Sequence, residues 1–357
     1  MMKPSSSSKV RLAVVGCGAV AQIHHVPAIA ASSRVEATVL VDADEKRARD
    51  LAQRYGVPEV ATDYRELPGQ VDGAVVALPN SLHAPVSIEL LRRGVHVLVE
   101  KPMAMTVAEC DAMIEAARAG RAVLAVGLDF RFFESSLFVR DLLRDGLIGE
   151  IRRFDLRQGV IPRWPFATDF LLKKEMAGGG VLADFGVHVL DLLLWWLGDL
   201  TATDYRDDAL GGVESDCEMT LATAAGLTGT VEVSRTRNLR NTCVFEGSQA
   251  RLEVGIWDSD PEVRLSTAGS QVMLAGHARR AGEKGINSGI DSGLNFLDTF
   301  IRQIDDFARA IRGRREPFVS GSEGRRSLAL IESCYAQRRF LELPWSVLPA
   351  AGKEPVA

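Results

Sequence analysis

Short apolar runs alternate with amphipathic stretches from residue 10 to about residue 127. The runs have the length of strands, and in the stretches between them apolar residues recur every three to four positions, as on one face of a helix. This alternation predicts βαβ units and a parallel sheet covered by helices on both faces. The predicted strands are 11–15, 37–41, 73–77, 96–100 and 122–126, with helices near 19–31, 44–54, 84–93 and 107–119.

The pattern changes after residue 128, where segments of strict apolar–polar alternation predict a largely antiparallel sheet with one covered face. We therefore divide the chain into an α/β domain at 10–128 and an α+β domain at 129–345, between flexible tails at 1–9 and 346–357. A Gly-rich polar stretch at 275–293 is predicted to be a mobile loop. The strands of the second domain are predicted at 151–158, 216–222, 226–236, 241–247 and 250–256, with helices at 135–144, 180–197, 294–312 and 322–340.

The composition excludes several classes of function. The chain has 357 residues, 46% hydrophobic and 25% charged, which is ordinary for a globular protein of two domains. Its net charge of −5, with both signs mixed along the chain, argues against nucleic acid or an anionic membrane as a partner. Five scattered cysteines and six histidines form neither C-x-x-C nor H-E-x-x-H, so we expect no disulfide framework and no metal site.

The start of the chain has a superficial signal-peptide pattern, because Lys3, Lys9 and Arg11 precede the apolar run 12–21. The same run is predicted to be a strand entering a glycine turn, and cleavage there would destroy it. No uninterrupted apolar stretch reaches about 18 residues, and the nearest, 181–197, is predicted to be a buried helix. The chain is therefore expected not to span a membrane, and its scattered cysteines fit a reducing cytoplasm.

A glycine motif, Gly16-x-Gly18-x-x-Ala21, follows the first predicted strand. Gly16 permits a tight turn, Gly18 lets a pyrophosphate approach the backbone, and Ala21 allows the helix to pack closely on the strand. The N–H groups at the helix start, including those of Ala19 and Val20, are expected to face the phosphates. Because the motif opens the first βαβ unit, it predicts a dinucleotide-binding Rossmann domain with a doubly wound parallel sheet.

Asp42 ends the second predicted strand, where an acidic side chain can hold both hydroxyls of the adenosine ribose. A carboxylate there repels a 2′-phosphate, so the sequence favours NAD over NADP. Lys46 and Arg47 lie one turn later and leave NADP possible. An alternative, compatible with cofactor binding, is that Asp42 or Asp44 begins the next helix as its N-cap.

Leu78, Asn80 and His83 follow the third predicted strand, whose carboxyl end faces the nicotinamide half of the crevice. Asn80 is placed to donate to the ribose or the carboxamide. The alternatives are that Asn80 is a turn residue after Pro79 and that His83 is a surface residue at the start of a helix.

Lys101 lies at the end of the fourth predicted strand, between Glu100 and Pro102. The proline ends the ladder and keeps Lys101 out of the helical region, so we expect the ammonium to point into the cleft. Partial burial lowers the pKa of an ammonium, and a cation in the cleft stabilises a developing alkoxide. The alternative is a surface lysine at a strand end.

Asp184 and His188 are spaced i and i+4 in a predicted helix and are therefore neighbours on one face. A carboxylate beside a histidine fixes its tautomer and raises its basicity, which is typical of a general acid–base pair. We expect the three glycines at 178–180 to let the backbone approach a ligand closely. The alternatives are a structural Asp–His pair and a simple glycine loop.

The ordered set of motifs resembles the glucose–fructose oxidoreductase / inositol 2-dehydrogenase / MocA family over nearly the whole chain. The resemblance implies a Rossmann domain followed by an α+β domain with a large open mixed sheet, mostly antiparallel, often used for dimer or tetramer contacts. It implies a catalytic trio of Lys101, Asp184 and His188, and a bond before Pro102 that is often cis. The motifs are the glycine turn, Pro79-Asn80-x-x-His83, Glu100-Lys101-Pro102 and Gly178-Gly179-Gly180-x-x-x-Asp184-x-Gly186-x-His188.

The resemblance further implies that Asn80, His83 and Glu100 lie near the nicotinamide and its ribose. Asp129 stands where such proteins often carry Asn or Met near the carboxamide, and a buried Asp must find a partner or a proton. The loop with Arg163 and Trp164 is similar to loops that cover the nicotinamide and sugar. The candidates for substrate contact, each with a purely structural alternative, are Arg131, Gln158, Arg163 and Trp164.

Together these residues predict oxidation of a secondary alcohol on a sugar, cyclitol or sugar derivative, or the reverse reduction. His188 would take the hydroxyl proton, oriented by Asp184, and Lys101 would stabilise the oxygen; whether Lys101 or His188 is the formal base stays open. The alternatives are a redox-neutral NAD-dependent glycoside hydrolase and an NAD-binding sensor without turnover. The expected partners are a small carbohydrate-like substrate and further copies of the chain, in a homodimer or homotetramer.

Overall fold

A computed structural model describes residues 9–161, 169–256, 263–267, 269–274 and 296–342. Its first sheet has six parallel strands in the order β3-β2-β1-β4-β5-β6. The strand order reverses at β1, so a crevice opens at the carboxyl ends of β1 and β4, as in doubly wound folds. The strands are β1 Val10–Val15, β2 Val35–Val41, β3 Glu59–Ala61, β4 Gly73–Val76, β5 His96–Val99 and β6 Leu124–Val126.

The second sheet has nine strands in the order β14-β13-β12-β11-β7-β10-β9-β8-β15. It is mixed and mostly antiparallel, since only the β7–β10 and β8–β15 pairs are parallel. The predicted fold class is therefore confirmed. The strands are β7 Ile151–Gly159, β8 Thr201–Asp207, β9 Asp216–Ala222, β10 Thr228–Ser234, β11 Thr242–Gly247, β12 Arg251–Gly255, β13 Val263–Thr267, β14 Ser270–Leu274 and β15 Arg338–Phe340.

Two helices start with a π-helical turn, at Ala21–His25 and at Leu182–Gly186, and both turns lie at the carboxyl edge of the first sheet. A 3-10 turn, Asp129–Phe132, follows β6 at the same edge. These three turns supply His25, Asp184 and Asp129 to the candidate site. The helices are α1 Val26–Ala31, α2 Glu45–Tyr55, α3 Asn80–Arg92, α4 Val107–Gly120, α5 Glu134–Arg144, α6 Lys174–Ala177, α7 Val187–Leu197, α8 Leu297–Gly313 and α9 Gly321–Ala336.

The differences from the predicted elements are local. α3 begins at Asn80, four residues before its predicted start, because Pro79 takes the N-cap position. The predicted helix 322–340 ends at Ala336, and its last residues form the edge strand β15. The strands β3, β8, β13 and β14 were not predicted.

The C-terminal helix α8 packs on the first domain, although it lies more than 160 residues after that domain's predicted end. Its apolar face, which includes Leu297, Phe300, Ile304 and Phe307, shares a core with β1 and β2. α9 packs on α4 and β6, and Ser320 forms a bridge with Ala125. The predicted boundary at residue 128 therefore separates the two sheets but not the helices that cover the first one.

Within the described residues, one helical stretch, Lys174–Leu197, has the length and apolar character needed to cross a membrane. In its most apolar window 72% of the residues are buried inside the protein. Such burial is typical of a core helix, as the sequence predicts.

Candidate active site

The glycine turn after β1 is shaped by two different requirements. Gly16 has φ +96°, and a Cβ there would lie 2.2 Å from the carbonyl oxygen of Ala77, so the fold itself demands glycine. A Cβ at Gly18 would meet no protein atom within 4 Å. Packing within the protein therefore does not explain Gly18, whereas close approach of a dinucleotide to the backbone does. Ala21 is fully buried at the start of the π turn, as predicted for the helix contact.

Asp42 is bound to the glycine turn in this structure. Its carboxylate accepts hydrogen bonds from the backbone N–H groups of Cys17, at 2.8 Å, and Asp44, at 2.9 Å. The N-cap of α2 is Asp44, which accepts from the N–H of Arg47. The Arg47 guanidinium lies 3.4 Å from both Asp42 oxygens, whereas Lys46 pairs with an exposed Asp50. Of the two basic residues, only Arg47 is therefore placed to influence the choice between NAD and NADP.

The polar residues that follow β4 make hydrogen bonds to backbone carbonyl groups of the protein. Asn80 is buried as the first residue of α3, and its amide donates to the carbonyl oxygen of Ala177 at 2.8 Å. His83 is fully buried, with its two ring nitrogens each 2.8 Å from a carbonyl oxygen, one of Leu78 and one of Pro102. Burial lowers the pKa of His83. His83 is therefore not a surface residue but ties together the ends of β4 and β5, and its place near the nicotinamide and its ribose stays a prediction.

Lys101 follows β5 with a cis bond to Pro102, as the resemblance implies. Its ammonium donates to the Asp184 carboxylate at 2.7 Å and to the Asp184 carbonyl oxygen at 2.9 Å. Burial alone would lower the pKa of Lys101, but the negative charges of Asp184 and Glu100, with Asp129 beyond, raise it above its ordinary value. The predicted lowering of this pKa is therefore wrong, and Lys101 stays a cation.

Glu100 is buried behind Lys101. One carboxylate oxygen lies 2.7 Å from His25 Nε2, and the other accepts from the backbone N–H of Lys101 at 3.0 Å. Burial would raise the pKa of Glu100, but the interaction with His25, the charge of Lys101 and the Lys101 backbone N–H outweigh it, so that the pKa falls to about 2. Glu100 therefore links the π turn that contains His25 to the end of β5 beside Lys101, and it keeps its negative charge.

The predicted pairing of Asp184 with His188 is not what the structure shows. The Asp184 carboxylate is engaged by two cations, Lys101 at 2.7 Å and Arg235 at 3.4 Å, because charged donors attract it more strongly than a neutral imidazole. His188 instead stacks on Phe130, with ring centroids 4.2 Å apart and an interplanar angle of 18°. Burial and the charge of Lys101 lower the pKa of His188 to about 3, so the ring is neutral.

The carboxylate nearest His188 belongs to Asp129, with 3.5 Å between Asp129 Oδ1 and His188 Nδ1. The Thr299 hydroxyl, whose one hydrogen is shared between two acceptors, lies 3.3 Å from the other oxygen and 2.8 Å from the carbonyl oxygen of Phe296. Burial, together with the charge of Glu100, raises the pKa of Asp129 to about 7. The expectation that a buried Asp here needs a partner or a proton is confirmed, since Asp129 has a hydroxyl partner and retains its proton up to near neutrality.

The three glycines before Asp184 are explained by the protein itself, Gly178 by its φ of +78° at the end of α6 and the other two by close packing. A Cβ at Gly179 would lie 2.0 Å from the Tyr335 hydroxyl, and one at Gly180 would lie 1.9 Å from the Glu214 carbonyl oxygen. Glu214 Oε1 accepts from the N–H groups of Gly180 at 2.9 Å and Leu182 at 3.1 Å. The glycines therefore admit a buried glutamate that holds the π turn, and the expected approach of a ligand is not needed to explain them.

Two of the residues predicted to contact the substrate are buried inside the protein. Arg131 is 2% exposed and makes a bidentate pair with Asp191, with a further bond of 2.6 Å to Glu323. We reassign it from substrate binding to a buried ion pair that joins α7 and α9. Gln158 is fully buried on the covered face of β7. The other two candidates, Arg163 and Trp164, lie outside the described residues, as does the predicted loop 275–293.

Three groups that shape the site were not predicted: His25, Glu214 and Arg235. A sequence signal exists for Arg235, because period-2 alternation places it on the same covered face as the buried Val231 and Val233. His25 and Glu214 act through partners 32 to 75 residues away, which no local pattern shows. Among the described residues, no group of three or more His, Cys, Asp or Glu is placed to hold a metal ion.

Comparison with known proteins relates this geometry to a family. Residues 10–128 match the model of an oxidoreductase family with an NAD-binding Rossmann fold, and residues 137–253 match the GFO/IDH/MocA C-terminal domain. D-glucoside 3-dehydrogenase of Escherichia coli (strain K12) is 32% identical over 203 residues, or 56% of this chain and 57% of the relative. The chain spans 57% to 63% of the length of this relative and two others.

A second relative matches over nearly the full length. The dTDP-3,4-didehydro-2,6-dideoxy-alpha-D-glucose 3-reductase of Actinomadura kijaniata is 27% identical over 358 residues, which is 96% of this chain and 100% of the relative. A solved levoglucosan dehydrogenase in complex with NADH and levoglucosan has the same fold, with a TM-score of 0.80 at 21% identity over 92% of this chain and 97% of that chain. Because both halves of the chain match one family and the two-sheet fold agrees, the chain belongs to the Gfo/Idh/MocA family of oxidoreductases, whose first domain binds NAD.

Proposed function

We propose that the protein is an NAD-dependent dehydrogenase or reductase that interconverts a secondary alcohol and a ketone on a sugar, cyclitol or sugar derivative. The observation that carries this proposal is that one protonated side chain and one unprotonated side chain lie at the same edge of the sheet. Lys101 is a fixed ammonium, and His188 is a neutral imidazole, at the carboxyl edge of the cofactor-binding sheet. NAD, when bound, supplies the hydride acceptor at nicotinamide C4.

The charges of the two side chains support distinct roles. The Lys101 ammonium donates a hydrogen bond to the substrate oxygen and stabilises its negative charge as the O–H proton leaves. Neutral His188 has a ring nitrogen available for that proton, because burial and the charge of Lys101 keep the ring unprotonated. Asp184 orients Lys101 rather than His188. His188 is therefore the proposed base, and Lys101 the electrostatic partner.

The cofactor residues support NAD binding in the predicted crevice. The turn of Gly16 and Gly18, with the helix start at Ala19 and Val20, fits the pyrophosphate. Asp42 fits the adenosine ribose at the end of β2. Leu78 and Asn80 lie at the end of β4, and Glu100 at the end of β5, on the nicotinamide side of the crevice.

The substrate class is proposed from the names of relatives, which include a D-glucoside 3-dehydrogenase and a dTDP-sugar 3-reductase. We would follow nicotinamide absorbance with NAD or NADP and a panel of D-glucosides, levoglucosan, inositols and nucleotide sugars. Formation of NADH with one class of substrate is the expected result. Glycoside cleavage without net NADH would indicate a hydrolase instead, and NADH binding without turnover would indicate a sensor.

Lys101→Ala tests the site directly. We expect kcat to fall by about 10²- to 10⁴-fold, because the developing negative charge loses its cation, while NADH binding measured by fluorescence is retained. The matched control is Lys46→Ala, which removes an 84% exposed lysine on α2 and should leave kcat unchanged. Equal turnover in the two variants would contradict the proposed role of Lys101.

We also propose assembly into a homodimer or homotetramer through the uncovered face of the second sheet, in a reducing cytoplasm. That face carries charges of both signs, among them Arg153, Asp155, Arg240 and Glu246, which suits pairing between copies. All five cysteines are buried and free. Light scattering on the purified protein measures the assembly, and a monomeric mass at micromolar concentration would contradict it.

A further inference from the structure

The environment of His188 is asymmetric. Its Nδ1 is buried and lies 3.5 Å from Asp129 Oδ1, without a standard hydrogen bond among the described residues. Stacking on Phe130 fixes the plane of the ring. Asp184, four residues earlier, is occupied by Lys101 and by Arg235. Since such bonds are often long before substrate binds, a small movement closes Nδ1 on Asp129 and leaves Nε2 as the nitrogen that meets the substrate.

The surroundings of Asp129 make its charge costly. The residue is 3% exposed, at the start of the 3-10 turn after β6. Glu100 and Lys101 face it with opposite charges from the end of β5, and Thr299 supplies one hydroxyl from α8. α5, which also packs on this turn, begins with Glu134, and that carboxylate is paired with Arg302 at the surface. The neighbours therefore do not hold Asp129 firmly in either protonation state.

We propose that Asp129 is a positioning residue that selects the tautomer of His188 and thereby the direction in which the site moves a proton. In the structure Asp129 has the role of fixing the tautomer of His188, which the i, i+4 spacing in the sequence predicted for Asp184. The consequence for catalysis rests on the proposed function, whereas the tautomer itself does not.

The proton steps balance in both directions. With Asp129 ionised, Nδ1–H donates to it and the Nε2 lone pair faces the substrate. In alcohol oxidation the substrate O–H breaks and N–H forms at Nε2, while the Nδ1–H proton passes to the Asp129 carboxylate. The carbinol C–H electron pair leaves with its hydrogen to the cofactor. In ketone reduction, protonated Asp129 donates to Nδ1, and Nε2–H protonates the new alkoxide oxygen.

The expected pH dependence follows from the pKa of Asp129, which burial raises to about 7. Below that pH the carboxyl is protonated and His188 carries Nε2–H, which suits reduction. Above it the carboxylate accepts Nδ1–H, which suits oxidation. An asparagine at 129 keeps the size and the Thr299 contact but cannot gain or lose the proton, so it holds His188 in one tautomer.

Tautomers are read directly by long-range proton–nitrogen NMR on the full chain labelled with ¹⁵N-histidine, with His188 assigned by His188→Gln. In the wild type we expect His188 to stay neutral and to exchange one tautomer for the other between about pH 6 and about pH 8. In Asp129→Asn, His188 should show the same tautomer at every pH. In Asp184→Asn, it should still change tautomer with pH as in the wild type. No exchange in the wild type, or exchange that persists in Asp129→Asn, would overturn the proposal.

Kinetics separates this inference from the proposed function. With a substrate found on the sugar panel, wild-type kcat/KM for oxidation should rise about tenfold per pH unit below 7 and then level off, and kcat/KM for reduction should show the opposite trend. Asp129→Asn should remove both trends. Turnover with an unchanged pH profile in Asp129→Asn refutes the inference alone. Absence of any turnover refutes the proposed function, and the NMR result then decides the role of Asp129 independently.

Discussion

At the scale of single residues, the charge states of the site depend on how many ionised groups surround each side chain. Lys101 has three acidic neighbours, so its pKa rises although the ammonium is buried. His188 has Lys101 nearby and few exposed atoms, so its pKa falls. The sequence identified both residues as catalytic candidates but gave the wrong direction for Lys101, because Asp129 and Asp184 lie far from it along the chain.

The contact between Asp42 and Arg47 leads to a prediction about cofactor choice. Asp42→Ala removes the carboxylate that would repel a 2′-phosphate and leaves the Arg47 guanidinium, 3.4 Å from it, paired only with Asp44 at 3.3 Å. We expect the ratio of NADH to NADPH affinity, measured by fluorescence titration, to shift by about 10- to 100-fold towards NADPH.

The control for this experiment is Asp44→Ala on the same turn. It removes the N-cap of α2, which costs about 1 kcal/mol of stability, and the Asp44–Arg47 ion pair at 3.3 Å, but it leaves the Asp42 carboxylate in place. The ratio of the two affinities should then stay as in the wild type. A similar shift in both variants would show that the turn, and not the Asp42 charge, sets the cofactor preference.

At the scale of helices and strands, five of the six parallel strands of the first sheet were predicted within two residues because each is a mainly apolar run bounded by turns. Edge strands such as β3 and β15 are too short, and too polar, for a pattern to show. The π turn at Leu182–Gly186 was also missed, since an α-helix and a π turn have the same apolar positions over one turn. The residues of this turn were found by motif, but its partner Glu214 was not.

The buried Glu214 contact predicts that the glycine loop tolerates no side chain. Gly180→Ala would place a Cβ 1.9 Å from the Glu214 carbonyl oxygen, so we expect the free energy of unfolding in urea to fall by about 2 kcal/mol or more. Gly212→Ala is the matched control, because a Cβ there meets no atom within 4 Å. Equal stability of the two variants would show that the loop relaxes freely around position 180.

At the scale of the whole molecule, the two halves of the chain are joined by α8 and α9. The sequence placed both helices in the second domain because they follow its strands. Their apolar faces do not indicate which sheet they cover, because an amphipathic helix can pack on any apolar surface nearby. In the structure Phe300 of α8 packs against His24 and His25 of the cofactor-side turn, with ring centroids 4.6 and 5.0 Å apart. Loss of the C-terminal helices would therefore expose the core of the first domain.

This arrangement predicts that the two sheets unfold as one unit. Phe307 is 1% exposed in the core that α8 shares with β1, and Phe307→Ala should lower the free energy of unfolding by about 3–5 kcal/mol. All five tryptophans follow residue 129, so their fluorescence reports on the second half of the chain, while loss of NADH binding reports on the first. We expect both signals to shift to the same lower urea midpoint, because the mutation weakens a core on which both halves depend. Phe340→Ala, at a 42% exposed position, should leave both midpoints unchanged. If Phe307→Ala lowered the urea midpoint of the NADH signal alone, the two halves would be independent folding units, and α8 would stabilise only the first.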